Sequence, residues 1–175
     1  MFLRLVQVCL ILALCSSSSG FSCRWISHKF GDLHDQYLRL LREMSLSLSL
    51  SLSLSHSLSL SLSLSLSLQP QRQVWLVVEV LEQISELLNE DDSIYWNEKQ
   101  MGNLLSTLER QTEGLRSCVT LSMRKNKRLA SYFNQLRNLT QNPTVSTWEQ
   151  IRKELLKVLS LLEFLPALSA TEFTN

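Results

Sequence analysis

The chain has 175 residues, 45% hydrophobic and 19% charged, with a formal net charge of +1. Its four glycines and three prolines are far fewer than average usage, which favours helices over a turn-rich β-sandwich or barrel. Near-neutral charge gives no support for nucleic-acid binding, which usually shows a basic excess.

The first 22 residues read as a secretory leader. Arg4 is their only charge, an apolar run follows from Leu5 to Leu14, and Ser18/Gly20 or Gly20/Ser22 can fill the −3/−1 cleavage positions. The run is too short for a membrane anchor, which needs about 20 apolar residues. Cys9 and Cys15 leave with this leader, so the mature chain keeps Cys23 and Cys118. An oxidising compartment then permits one intramolecular bridge, with free or intermolecular thiols as the other outcome.

Helical periodicity recurs five times after the leader. The first stripe runs through Ile26, Phe30, Leu33, Tyr37, Leu40, Leu41 and Met44, with His28 and His34 on opposite sides as solvated or partly buried histidines. From Ser45 to Leu68, serine holds every odd position and leucine every even one except His56. This period-two pattern suits no compartment of a small domain. As a strand its 24 residues would reach about 80 Å, and as a helix it has no core-facing stripe. Its hydroxyls also make it a poor membrane span. The DNA repeat CTCTCT, read in frame, encodes Leu-Ser-Leu-Ser, so residues 45–68 are expected to translate a microsatellite, either a real expansion or included non-coding sequence.

The second stripe comprises Val74, Val77, Val78, Leu81, Ile84 and Leu88, with Glu79, Glu82 and Glu86 expected on the opposite, polar side. Glu90-Asp91-Asp92 then marks a solvated turn, lacking the spacing of a calcium loop. The third stripe is Met101, Leu104, Leu105, Leu108, Leu115 and Val119, with Asn97 and Gln100 placed to cap its start. The fourth, Leu129, Tyr132, Phe133, Leu136 and Leu139, opens on the basic run Arg124-Lys125-Asn126-Lys127-Arg128. That run reads as a solvated face or as a contact for an acidic receptor surface or a sulfated glycan. Asn138-Leu139-Thr140 is a glycosylation sequon, while proline spoils Asn142-Pro143-Thr144. The fifth stripe is Trp148, Ile151, Leu155, Val158, Leu159 and Leu162, with Ser146 and Glu149 expected to form a capping box.

Five amphipathic helices need one shared core, which means an all-α bundle. Short links favour antiparallel neighbours, whereas the long first link can set two successive helices parallel. Trp75, Trp96 and Trp148 near helix starts read as core. No H-E-x-x-H, C-x-x-C, G-x-G-x-x-G or P-loop pattern occurs, so neither an enzyme nor a cofactor is expected.

Four stretches together resemble type I interferons, in particular the two-cysteine subgroup found in fish. These are CRWISHKF from Cys23, NEDDSIYWNEKQMGNLLSTLERQTEGLRSC from Asn89, RKNKRLASYFNQL from Arg124 and TWEQIRKEL from Thr147. The resemblance implies a five-helix, up-up-down-down cytokine bundle with a long first crossover and a Cys23–Cys118 bridge. It further implies a secreted, extracellular antiviral protein that pairs class II cytokine receptor chains, the type I interferon receptor, and starts JAK–STAT signalling. By position the receptor-binding candidates are Arg152, Lys153, Leu156, Lys157, Ser160 and Leu161, of which Arg152, Lys153 and Lys157 lie off the apolar stripe of the fifth helix. The expected state is a monomer with no nucleic-acid partner and no stable membrane insertion. Two rival readings are a signalling-defective copy or decoy, caused by the repeat in a loop that the family uses for its receptor, and a secreted membrane-active helical protein.

Overall fold

A computed structural model describes residues 23–44, 70–90, 96–120, 123–141 and 144–164. Residues 1–22, read above as a leader, the Ser-Leu repeat, Asp91-Asp92 and Asn142-Pro143 lie outside these residues. Within them are five α-helices and no strand: α1 (Gly31–Glu43), α2 (Pro70–Asn89), α3 (Glu98–Arg116), α4 (Lys127–Leu139) and α5 (Val145–Ser160). A π-helical turn, Ile26–Phe30, runs into α1, and a 3-10 turn, Leu161–Phe164, follows α5.

Three helix starts are fixed by local side-chain chemistry. Asn97 Oδ1 accepts the Gln100 N–H at 3.2 Å, as the sequence predicts for α3. Asn126 Oδ1 accepts from Arg128 and Leu129 at the start of α4. For α5 the expected Ser146–Glu149 box does not form. Thr144 is the cap instead, its hydroxyl accepting the Thr147 N–H at 3.1 Å. Thr144 stands two residues further upstream and lets the helix begin earlier, and Glu149 is taken by another partner described below. Each such cap contributes about 1 kcal/mol.

The five predicted stripes meet in one core, with Phe30, Tyr37, Leu41, Leu81, Ile84, Leu108, Phe133, Trp148 and Leu155 all buried. Trp96 and Trp148 are core residues in edge contact, ring centroids 5.5 Å apart, and pin the start of α3 to the start of α5. Trp75 is half-buried. In α2, burial extends beyond one stripe to Gln73, Leu76, Glu79 and Val80, because this helix packs on both α3 and α4.

Cross-helix contacts give the directions. Cys23 is bonded to Cys118, and Phe30 accepts a hydrogen bond from Gln111, so α1 and α3 are antiparallel. Glu79 meets Asn126 while Gln83, Glu86 and Glu90 meet Arg137, so α2 and α4 run the same way. Tyr132 meets Glu154 across the short α4–α5 link, an antiparallel pair, so α5 also opposes α2. The last turn of α1 meets the early part of α5 through Leu41 and Arg152. Thus α1, α2, α3 and α5 are arranged up, up, down, down, with α4 as a fifth helix parallel to α2. The chain between α1 and α2 therefore joins opposite ends of the bundle. Twenty residues of α2 set that separation at about 30 Å.

Cys23 and Cys118 form the expected bridge, with Cα atoms 5.4 Å apart and 95 residues between them in sequence. Closing so long a loop contributes about 4–5 kcal/mol in the chain-entropy account. Beside it, the Trp25 indole lies directly over Gly114, where any Cβ would occupy the ring itself.

Glu79 departs from its expected place on a polar face. It is buried and accepts the Asn126 backbone N–H at 2.7 Å, which ties α2 to the start of α4. Burial pushes its carboxyl above the usual range, partly offset by that N–H and by nearby Lys125. Glu82 and Glu86 do face outward, pairing with Arg116 at 2.7 Å and Arg137 at 3.1 Å. His28 is exposed, whereas His34 is fully in the core against Phe30 and Tyr37. The Tyr37 phenol shares a hydrogen bond with His34 Nδ1. Burial holds the His34 imidazole below its ordinary value, opposed by Asp35 and Glu163 and reinforced weakly by Arg42.

Candidate receptor-binding face

The outer side of α5 is where the candidate residues collect, and the structure divides them. Lys153, Leu156, Lys157, Ser160 and Leu161 form a strip along the helix, from half-buried Leu156 to Leu161 at 37% exposure. Each lysine stands over a buried carboxylate. Lys157 Nζ is 2.8 Å from Glu154, and Lys153 Nζ is 3.9 Å from Glu149. Glu154 in turn accepts from the Tyr132 hydroxyl at 3.4 Å. Burial and the Glu154 charge raise the Tyr132 phenol, so it stays protonated and continues to donate. Ser160 returns its hydroxyl to the Leu156 carbonyl at 2.7 Å. The strip is thus a cationic and apolar surface whose lysines are partly oriented from beneath.

Arg152 does not share this surface. It is only 6% exposed, correcting the expectation that it faces outward with its neighbours. Its Nε and Nη2 donate to both oxygens of Glu149, at 2.8 and 2.6 Å, a bidentate charged pair. Its Nη1 donates to the Leu41 carbonyl at 2.8 Å. Leu41 is in the last turn of α1, where backbone carbonyls lack intrahelical donors. Arg152 therefore clamps α5 to the end of α1 and acts as a positioning residue. A cue was present in the spacing: Arg152 is four residues after Trp148 and three before Leu155, the same steps that define the apolar stripe.

Other features fall elsewhere. Asn138 of the sequon is exposed on the last turn of α4. An open groove of about 780 Å³ between α2 and α3 is acidic, lined by Glu82, Glu86, Glu90, Glu109 and Glu113. No histidine or cysteine lines it. No helix among the described residues is long and apolar enough to cross a membrane.

The family model of the interferon alpha/beta domain matches residues 26–168, the whole span of the bundle. The chain belongs to the interferon alpha/beta family. This interferon is 32% identical over 164 residues to Interferon a3 of Oncorhynchus mykiss, covering 91% of this chain and 94% of that protein. Its fold is similar to that of zebrafish interferon 1, with a TM-score of 0.68 at 20% identity, over 84% of this chain and 99% of the other. It is a fish type I interferon, a helical cytokine and not an enzyme.

Proposed function

We propose that this interferon is a secreted antiviral cytokine whose α5 strip engages one class II receptor chain while a second chain binds elsewhere, starting JAK–STAT signalling. Residues 1–22 act as its cleaved leader, and the mature protein works as a monomer. The observation that carries the reading is the strip itself, set in a chain that matches its family along the whole bundle. Lys153 and Lys157 sit in the open over buried carboxylates, with Leu156, Ser160 and Leu161 beside them. Such a surface suits an acidic receptor patch with an apolar centre. Charges at the rim speed encounter and choose the partner, and the apolar contacts prolong the bound state.

The test is STAT phosphorylation in receptor-bearing cells exposed to refolded residues 23–175. Lys153→Glu combined with Lys157→Glu is expected to shift the dose curve at least tenfold to higher concentration, dosed by folded protein from circular dichroism, because losing the 2.8 Å partner of buried Glu154 also lowers the melting temperature. An unchanged curve refutes the strip as the contact. No response to the unaltered protein refutes the agonist reading.

A further inference from the structure

The basic run before α4 is not used by the α5 strip and lies on different elements. A groove of about 380 Å³ separates the start of α2 from the segment entering α4, lined by Arg72, Trp75, Glu79, Met123, Arg124 and Asn126. Lys125, Lys127 and Arg128 adjoin it in the chain, and all five cations are exposed. Among the described residues none of the five enters an ion pair. The one carboxylate lining the groove, Glu79, is buried and already accepts the Asn126 N–H. Lys127 and Arg128 moreover occupy the first turn of α4, where positive charge opposes the helix dipole. The fold thus keeps a cationic cluster without ion pairs around a half-buried indole, with buried Glu79 acting on Lys125 only through its charge.

We infer that this groove binds a sulfated polysaccharide chain. Arginine forks at its two walls, Arg72 and Arg124, match the paired oxygens of a sulfate. Long unpaired lysines on either side can follow anions repeated along a polymer, and short Lys/Arg-rich runs are recurrent heparin-binding elements. The Trp75 ring offers a flat apolar surface of the kind on which a sugar ring stacks. Choosing an extracellular glycan over a nucleic acid rests on the secreted reading given above. The surface is separate from the α5 strip, so the two assignments stand or fall independently.

The experiment measures binding of residues 23–175 to immobilised heparin at several NaCl concentrations, beside chemically desulfated heparin. The unaltered protein should bind heparin at least tenfold more tightly than the desulfated form. Arg72→Gln with Arg124→Gln should weaken binding about tenfold with the melting temperature preserved. The slope of log affinity against log salt should fall by about two, one for each cation removed. Lys125→Gln with Lys127→Gln gives a second pair should the first fold poorly. Lys153→Gln with Lys157→Gln should leave heparin affinity unchanged while reducing STAT phosphorylation. Wild-type affinity in both groove variants, or equal binding to desulfated heparin, overturns the proposal. Equally tight binding to single-stranded DNA or to phosphatidylserine vesicles also overturns it, since the groove would then be a general polyanion surface.

Discussion

Replacing Arg152 by alanine removes three hydrogen bonds at once, two to Glu149 and one to the Leu41 carbonyl. Glu149 is only 2% exposed, so its charge would be left in the interior beside a lysine 3.9 Å away. Breaking a buried ion pair from one side costs about 3–5 kcal/mol. A domain is stable by about 5–15 kcal/mol in all, so this is a large fraction of the whole. For a mature chain of this size each kcal/mol is worth about 2–4 °C, giving an expected fall of about 6–20 °C in the melting temperature. Thermal unfolding followed by circular dichroism measures it, with Lys153→Ala as the comparison and an expected change below about 2 °C. Combining Arg152→Met with Glu149→Leu should recover much of the loss, because both charges leave together. A melting temperature for Arg152→Ala within about 2 °C of wild type would refute the clamp. Reduced signalling by Arg152 variants must accordingly be separated from reduced folding before it is assigned to receptor contact.

Two glycines of α3 should respond oppositely to alanine. Gly102 has open space around it and should gain up to about 1 kcal/mol from helix propensity, whereas Gly114→Ala displaces the Trp25 ring and should lose about 1–3 kcal/mol; paired melting curves decide, and a stabilised Gly114→Ala would sink the packing account. His34 is held neutral by burial, so its folded pKa lies below the unfolded value of about 6.5. Between those two values the unfolded chain binds more protons, and stability falls as the pH drops below about 6.5. The melting temperature of wild type should therefore drop more between pH 7.5 and 5.5 than that of His34→Gln, and equal drops would refute the linkage. Deleting residues 45–68 leaves one residue between Met44 and Pro70, reaching about 7 Å where about 30 Å is needed. That deletion should abolish the monomeric bundle, while a Gly/Ser segment of equal length should keep the helix content and melting temperature; a folded monomeric deletion would contradict the parallel α1–α2 arrangement. A STAT response only from the Gly/Ser form would make the repeat's chemistry the cause of defective signalling.

Residue order alone was enough for the five helices, because three- and four-residue apolar steps place side chains on one face whatever lies opposite. It also marked Cys23 and Cys118 as the cysteines beyond the expected leader, and four stretches pointed to the family. Part of the outer face of α5 was legible too: Lys153 and Lys157 fall off the stripe and reach the surface, while the choice of that face came from the family resemblance. Partners from distant parts of the chain were not legible. Glu79 and Arg152 read as solvated because charge ordinarily stays in water, yet each is buried by a partner 47 or 111 residues away. Thr144 caps α5 in place of Ser146, and Glu149 pairs with Arg152 rather than with the start of its helix. Local periodicity determines which face of a helix is apolar. Only the packed bundle decides which polar side chains on the margins of that face find a charge or an open carbonyl to offset desolvation, and those contacts set how α5 is held against α1 and α4.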